Sequence, residues 1–228
     1  MAGSLKLQQF AATQIPQERQ RGVLILDTRP PELFCTLHIK GALQLGLMGP
    51  FASWAAILID PTQKLLLVTE DEPSAQEARV RLARVGLEHV TGFTLADEKQ
   101  WEHHGIKLAS LSIHWCEEVC RNQQKGRPFQ LIDVRSPAEW LNGHLPGAIS
   151  IPLLELNSAA SIDLSKPSLV YCREGYRATT AASVLLRGKV TEVGILIDAM
   201  KCIDGLRARS VAPSTRLDGL EVSSIAHL

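Results

Sequence analysis

Residues 169–186 read LVYCREGYRATTAASVLL. Leu169, Val170 and Tyr171 form a short apolar run suited to a buried strand, and Cys172 ends it. A loop containing Gly175 follows, and from Arg177 to Leu186 the pattern is helical. A strand, a tight loop and a helix in that order make a βα unit, the building block of a parallel sheet covered by helices.

The same unit occurs earlier in the chain in degenerate form. Residues 27–45 read DTRPPELFCTLHIKGALQL and residues 133–151 read DVRSPAEWLNGHLPGAISI. At an offset of 106 they share Asp27/Asp133, Arg29/Arg135, Pro31/Pro137, His38/His144, Gly41/Gly147 and Ala42/Ala148, with Phe34 aligned to Trp140. Leu66–Thr69 then corresponds to Leu169–Cys172, which aligns Thr69 with Cys172. Helical patterns follow at Ser74–Val85 and Arg177–Leu186, with further strands near Val90 and over Val193–Ile197. The expectation is an α/β chain of two similar domains, each a parallel sheet flanked by helices. They span residues 5–107 and 108–212, with residues 213–228 as a tail without periodicity. The boundary lies near residues 105–111, after a helical segment Asp97–His104, and the second domain is expected to open with a helix around Ser112–Gln124.

The chain of 228 residues is long enough for two cores, and an apolar fraction of 45% is enough to fill them. Lys plus Arg total 24, as do Asp plus Glu, so formal net charge is zero and nucleic acid is not an expected partner. The longest apolar stretch, Phe51–Ile59, falls far short of the roughly 20 residues that span a bilayer. The first ten residues carry no secretion pattern, and the Met-Ala-Gly-Ser start is compatible with a longer native chain. Five cysteines, an odd number, suit free thiols in a reducing, cytoplasmic setting better than a disulfide framework.

Cys172 is the sharpest candidate for chemistry. It leaves the carboxyl end of a parallel strand, where open α/β sheets bind ligands. It also sits before a helix N-terminus, whose unpaired amides and dipole stabilise an anion. Gly175 allows a backbone turn that other residues resist, and Arg173 and Arg177 add positive charge. These features favour the thiolate, the nucleophilic form of cysteine. A lone cysteine at a strand end is more often inert packing, but the Cys-x-x-Gly-x-Arg arrangement argues against that here.

Asp133-Val134-Arg135-Ser136-Pro137-Ala138-Glu139-Trp140, Gly143-His144-Leu145-Pro146-Gly147-Ala148 and Cys172-Arg173-Glu174-Gly175-Tyr176-Arg177 together resemble a rhodanese domain over about residues 112–200. The resemblance implies a sulfurtransferase with a persulfide on Cys172, a loop of Arg173, Glu174, Gly175, Tyr176 and Arg177 that holds the sulfur donor, and no cofactor. A small-molecule donor, thiosulfate or a persulfide, and a thiol acceptor are the implied partners. The first repeat resembles a rhodanese domain that has lost its cysteine. Its loop reads Thr69-Glu70-Asp71-Glu72-Pro73-Ser74-Ala75, where three acids repel an anionic donor and Pro73 removes an amide. The pair is similar to the tandem in persulfide dioxygenase–rhodanese fusions, a likeness that Gly49–Trp54 and Ile59–Pro61 extend. That likeness implies a metallo-β-lactamase-type persulfide dioxygenase as a further partner, since no His-x-His-x-Asp-His motif occurs in this chain. One departure stands out: Leu196–Cys202 lacks the Gly-rich turn usual after the last core strand.

Other polar residues read as structural. Asp133 and Arg135 recur in the half without the cysteine, which suits an ion pair at the strand end rather than acid–base chemistry. His144 recurs as His38 and is placed near the site as a structural residue. His114, Cys116 and Cys120 lack a second ligand pair, so no metal is expected; Ile113, Cys116 and Cys120 are instead read as one helical core face. Cys202 is read as packing rather than as a resolving thiol. Two rival functions remain. A cysteine phosphatase or arsenate reductase also uses a thiolate before a helix, but its loop typically places five residues before the arginine, whereas four lie between Cys172 and Arg177. A non-catalytic binding module is the other.

Overall fold

The computed structural model describes residues 6–122, 129–158, 162–188, 190 and 192–211. The expected tail, residues 213–228, lies outside them. After a 3-10 turn (Ala12–Gln14) come α1 (Ile15–Gln20), β1 (Leu24–Asp27), α2 (Pro31–Thr36), β2 (His38–Ile39), β3 (Leu43–Gln44) and α3 (Phe51–Leu58). It continues through β4 (Leu65–Thr69), α4 (Glu72–Ala83), β5 (Val90–Leu95), α5 (Glu98–His103) and β6 (Leu108–Ala109). The second half follows as β7 (Ser112–Trp115), α6 (Cys116–Asn122), β8 (Gln130–Asp133), α7 (Pro137–Leu141) and β9 (Ala148–Ser150). A 3-10 turn (Leu153–Ser158), β10 (Ser168–Tyr171), α8 (Tyr176–Arg187), β11 (Val193–Ile197) and α9 (Ala199–Val211) complete it.

The architecture is α/β, with two all-parallel sheets flanked by helices. Their strand orders are β3-β1-β4-β5 and β7-β11-β10-β8-β9. The central strands are apolar runs buried on both faces, as a parallel sheet covered by helices requires. Strand β6 lies between the two sheets in sequence and pairs antiparallel with β2.

Register makes the internal repeat a physical equivalence. Asp27 pairs with Val68 and Asp133 with Tyr171, so the next residues, Thr69 and Cys172, occupy the same place at the ends of β4 and β10. Likewise Leu66 pairs with Gly92 and Leu169 with Gly194. A Cβ on Gly194 would stand 2.5 Å from Ser112 Oγ, and one on Gly92 would stand 2.3 Å from the Gln8 carbonyl. Glycine at both positions lets a further strand close on each sheet: β7 in the second half, and a single parallel bridge between Gln9 and Phe93 in the first.

The helix expected from Ser112 is corrected by this pairing. Ser112–Trp115 is an edge strand hydrogen-bonded to β11, and α6 starts only at Cys116. Ile113 is therefore exposed rather than part of a helical core face, while Cys116 is fully buried. Gln123, Gln124 and the side chain of Cys120 lie outside the described parts.

The halves share apolar packing. One continuous cluster joins Phe34, Ile39 and Val68 to Val134, Val170, Ala178 and Leu185. Helix α8 is central to this arrangement. It covers β10 and β11 of its own sheet and also packs on α2 and β3. Polar contacts fix its register there: Ser183 Oγ accepts from the Gln44 amide (3.0 Å), and Thr180 Oγ1 donates to Gln44 Oε1 (3.2 Å).

Candidate active site

Strand β10 lies between β8 and β11, so Cys172 emerges from the middle of the second sheet at its carboxyl edge. The chain then turns through residues 172–175 into α8. Gly175 caps that helix with φ of +91°, a conformation costly for any residue with a Cβ. This turn aims the Gly175 amide back at the cysteine: it donates to Cys172 Sγ at 3.1 Å. The sulfur is buried, yet it lines a pocket of about 260 Å³ with Pro50, Trp54, Arg173, Glu174, Tyr176 and Arg177.

The six loop residues play different parts. Arg173 and Glu174 are solvent-facing and only loosely paired, with Nε and Oε1 3.9 Å apart. Tyr176 is turned away from solvent into the first half, where its hydroxyl donates to the Gly46 carbonyl (2.9 Å); burial pushes its phenol above the ordinary range. Arg177 is not a free cation. Its two terminal nitrogens donate to the two oxygens of Glu139 at 2.7 and 2.8 Å. This fork of bonds from Arg177 lowers the Glu139 carboxyl to about 2. Glu139 also closes a capping box with Ser136 at the start of α7, so the arginine is held to a helix N-terminus.

Asp133 and Arg135 form a buried fork, with Asp133 Oδ2 2.6 Å from Nη2, and Arg135 also donates to the Gly143 carbonyl. Asp27 and Arg29 repeat it in the first half, with Oδ2 to Nη2 at 2.7 Å and a further bond to the Leu37 carbonyl. His144 stacks on Trp140 and donates through Nδ1 to its carbonyl; His38 does the same with Phe34. These pairs tie each strand end to the following turn. Cys35 is buried against Thr179, and burial pushes its thiol up, which makes it inert packing between the halves.

The loop after β4 is built otherwise. The Asp71 carboxylate caps α4 by accepting from the Ser74 amide (2.8 Å), and Thr69 Oγ1 donates to the Asp71 carbonyl. A protein anion already occupies the amide end that a ligand would need. After β11, the place of the missing Gly-rich turn is taken by Asp198, which adopts φ of +58° and pairs with Lys201. Asp is among the few residues that tolerate this conformation.

Two site features escaped the sequence reading. Pro50 and Trp54 reach the pocket from the other half of the chain, and no local pattern announces that. Glu139 could have been found from its Ser-x-x-Glu spacing, the signature of a capping box. Among the described residues no group of three or more His, Cys, Asp or Glu could hold a metal, and no helix is long and apolar enough to cross a membrane.

Residues 116–202 match the rhodanese-like domain family, so the second half contains such a domain. Over 68 residues the chain is 41% identical to the uncharacterized protein YqhL of Bacillus subtilis (strain 168), which covers 29% of this chain and 54% of that protein. Over 63 residues it is 36% identical to the probable adenylyltransferase/sulfurtransferase MoeZ of Mycobacterium tuberculosis (strain ATCC 25618 / H37Rv), covering 26% of this chain and 16% of that one. The chain thus matches about half, or less, of the length of these relatives. Among solved structures, thiosulfate sulfurtransferase from Pseudomonas aeruginosa aligns over 86% of this chain and 44% of its own, at 18% identity and a TM-score of 0.37.

Proposed function

We propose that this protein is a sulfurtransferase that carries sulfane sulfur on Cys172. The supporting observation is the Gly175 amide donating to Cys172 Sγ at 3.1 Å, within the segment that matches the rhodanese-like family. An amide aimed at sulfur stabilises the thiolate and then the terminal sulfur of a persulfide. The thiolate attacks the outer sulfur of the donor. A Cys172 S–S bond forms as the donor's own S–S bond breaks, and the leaving group, sulfite from thiosulfate or a thiolate from a persulfide, departs with the bonding pair. An acceptor thiolate then attacks the outer sulfur, and Cys172 leaves as thiolate. No external oxidant or reductant is needed.

The first half is assigned a supporting part, as a rhodanese-like unit without chemistry. The Asp71 cap supports this, as does the presence of Pro50 and Trp54 in the wall of the Cys172 pocket. The test is mass spectrometry of purified protein after exposure to thiosulfate and to glutathione persulfide. The expected result is one added sulfur on Cys172, removed by excess thiol and absent in Cys172→Ala. Sulfur transfer that survives Cys172→Ala, or hydrolysis of a phosphate ester without sulfur uptake, would overturn the assignment.

A further inference from the structure

A second, larger cavity of about 750 Å³ lies where the halves meet, between α1, the β6 link and the last turn of α8. Its wall carries Arg19, Lys40, Lys107 and Arg187, with Leu186 and Val190 as apolar surface and no carboxylate among the described residues. None of these four cations forms an ion pair with a described Asp or Glu. Glu18, the residue before Arg19 in sequence, pairs with Arg21 at 2.8 Å. The two arginines converge on one point. Arg187 Nη1 donates to the Gly41 carbonyl at 3.0 Å, and Arg19 Nη2 stands 2.9 Å from where a Gly41 Cβ would be. Desolvation, and then the charge of Arg19, lower Arg187 from its ordinary value. Like charges gathered without a counter-charge repel one another, and an anion placed between them relieves that repulsion.

We infer that this basic cleft binds a small polyphosphate of nucleotide size, its phosphates on Arg19, Lys40, Lys107 and Arg187 and its remaining part against Leu186 and Val190. Four cations match the charge of a triphosphate. Guanidinium groups bind phosphate oxygens through paired N–H bonds, and lysines add point charges. The volume lies within the range of small-molecule sites and exceeds what a bare phosphate fills. The site is separate from Cys172, because the two cavities share no lining residue. Since Arg19 and Lys40 belong to the first half and Arg187 to the second, a ligand here bridges the halves.

The test is calorimetric titration of the full chain with ATP and with inorganic triphosphate at low ionic strength, with orthophosphate as a matched control. The expected result is saturable binding of both polyphosphates, ATP at least as tight, with little response to orthophosphate. At a hundred-fold excess over Kd the thermal midpoint should rise by about 5–10 °C. Lys40→Ala and Lys107→Ala, at exposed positions that do not endanger folding, should each weaken binding about tenfold, a loss typical of one charge-assisted contact. Lys166→Ala, at an exposed lysine outside the cleft that pairs with Asp163, should leave it unchanged. Binding no tighter than that of orthophosphate, exclusion of ATP while triphosphate binds, or affinity unchanged by both lysine variants would overturn the inference.

Discussion

The Tyr176 hydroxyl donates to the Gly46 carbonyl at 2.9 Å, which ties the loop that carries Cys172 to the half of the protein that lacks the cysteine. Tyr176 follows Gly175 directly, so its anchoring fixes the residue whose amide reaches the sulfur. The chain it leans on is braced in turn by Arg81, which donates to the carbonyls of Leu47 and Gly49. The first half thereby reaches the site through the Tyr176 anchor as well as through Pro50 and Trp54 in the pocket wall.

Tyr176→Phe should keep the packing and lose the bond, at a cost of about 1 kcal/mol. Gly49→Ala is the harsher change. A Cβ there would stand 2.2 Å from Tyr176 Cε2, so the ring must move and carry the loop with it. Steady-state sulfur transfer should fall modestly in Tyr176→Phe and by about tenfold or more in Gly49→Ala, as active-site misplacement does. Equal activity in Gly49→Ala and wild type would show that the loop holds its geometry without the first half.

The Glu139–Arg177 fork yields an acid-stability prediction. Glu139 has a folded value of about 2 against an ordinary 4.5, lowered chiefly by the bonds from Arg177. A depressed carboxyl contributes stability that is fully present above the unfolded value and is lost as pH falls through the folded one. Wild type should therefore lose this contribution between about pH 4.5 and about pH 2, and Glu139→Gln should lack it at neutral pH already. Glu139→Gln also frees the Arg177 charge beside Cys172, so the KM for thiosulfate should fall while the urea midpoint falls. If KM stays constant, Arg177 does not sense the donor.

The βα unit around Cys172 and its degenerate copy were legible because strand periodicity, the loop glycine and the Asp-x-Arg anchor are all local signals. The equivalence of Thr69 and Cys172 could be read from aligned segments, and β-sheet register gives it the same form. Ser112–Trp115 was misread because its strand identity comes from pairing beside Gly194, not from its own pattern. Trp54, Glu139 and the cations of the second cavity come together from positions far apart in the chain. Contacts of that kind depend on how the halves pack, and overall neutrality conceals a local excess of positive charge.

The two buried forks predict equal sensitivity in both halves. The side chains of Asp27 and Arg29 are 0% and 2% exposed, and those of Asp133 and Arg135 are 1% and 4% exposed. Removing either arginine leaves a carboxylate buried without its partner, which costs about 3–5 kcal/mol. Arg29→Ala and Arg135→Ala should therefore lower the denaturant midpoint by similar amounts. A small stability loss in Arg135→Ala combined with complete loss of sulfur transfer would instead give Arg135 a part in the reaction.

The last prediction concerns position against surroundings. Register places Thr69 where Cys172 stands, so Thr69→Cys puts a thiol at the corresponding strand end. The position alone should not make it reactive. The Asp71 carboxylate occupies the Ser74 amide, and Glu70, Asp71 and Glu72 set negative charge in the path of an anionic donor. The residue equivalent to Gly175 is Glu72, which cannot take φ of +91° without a cost of about 1–2 kcal/mol, so no amide turns toward the sulfur. In a Cys172→Ala background, Thr69→Cys should gain no sulfur from thiosulfate by mass spectrometry. Adding Glu70→Arg, Asp71→Ser and Glu72→Gly should restore part of the uptake, because the repulsion falls, the carboxylate cap is gone and the amide is free to turn. Sulfur on the introduced thiol in Thr69→Cys without those three further changes would mean that strand-end position suffices and that the amide cradle around Cys172 is not what makes it a carrier.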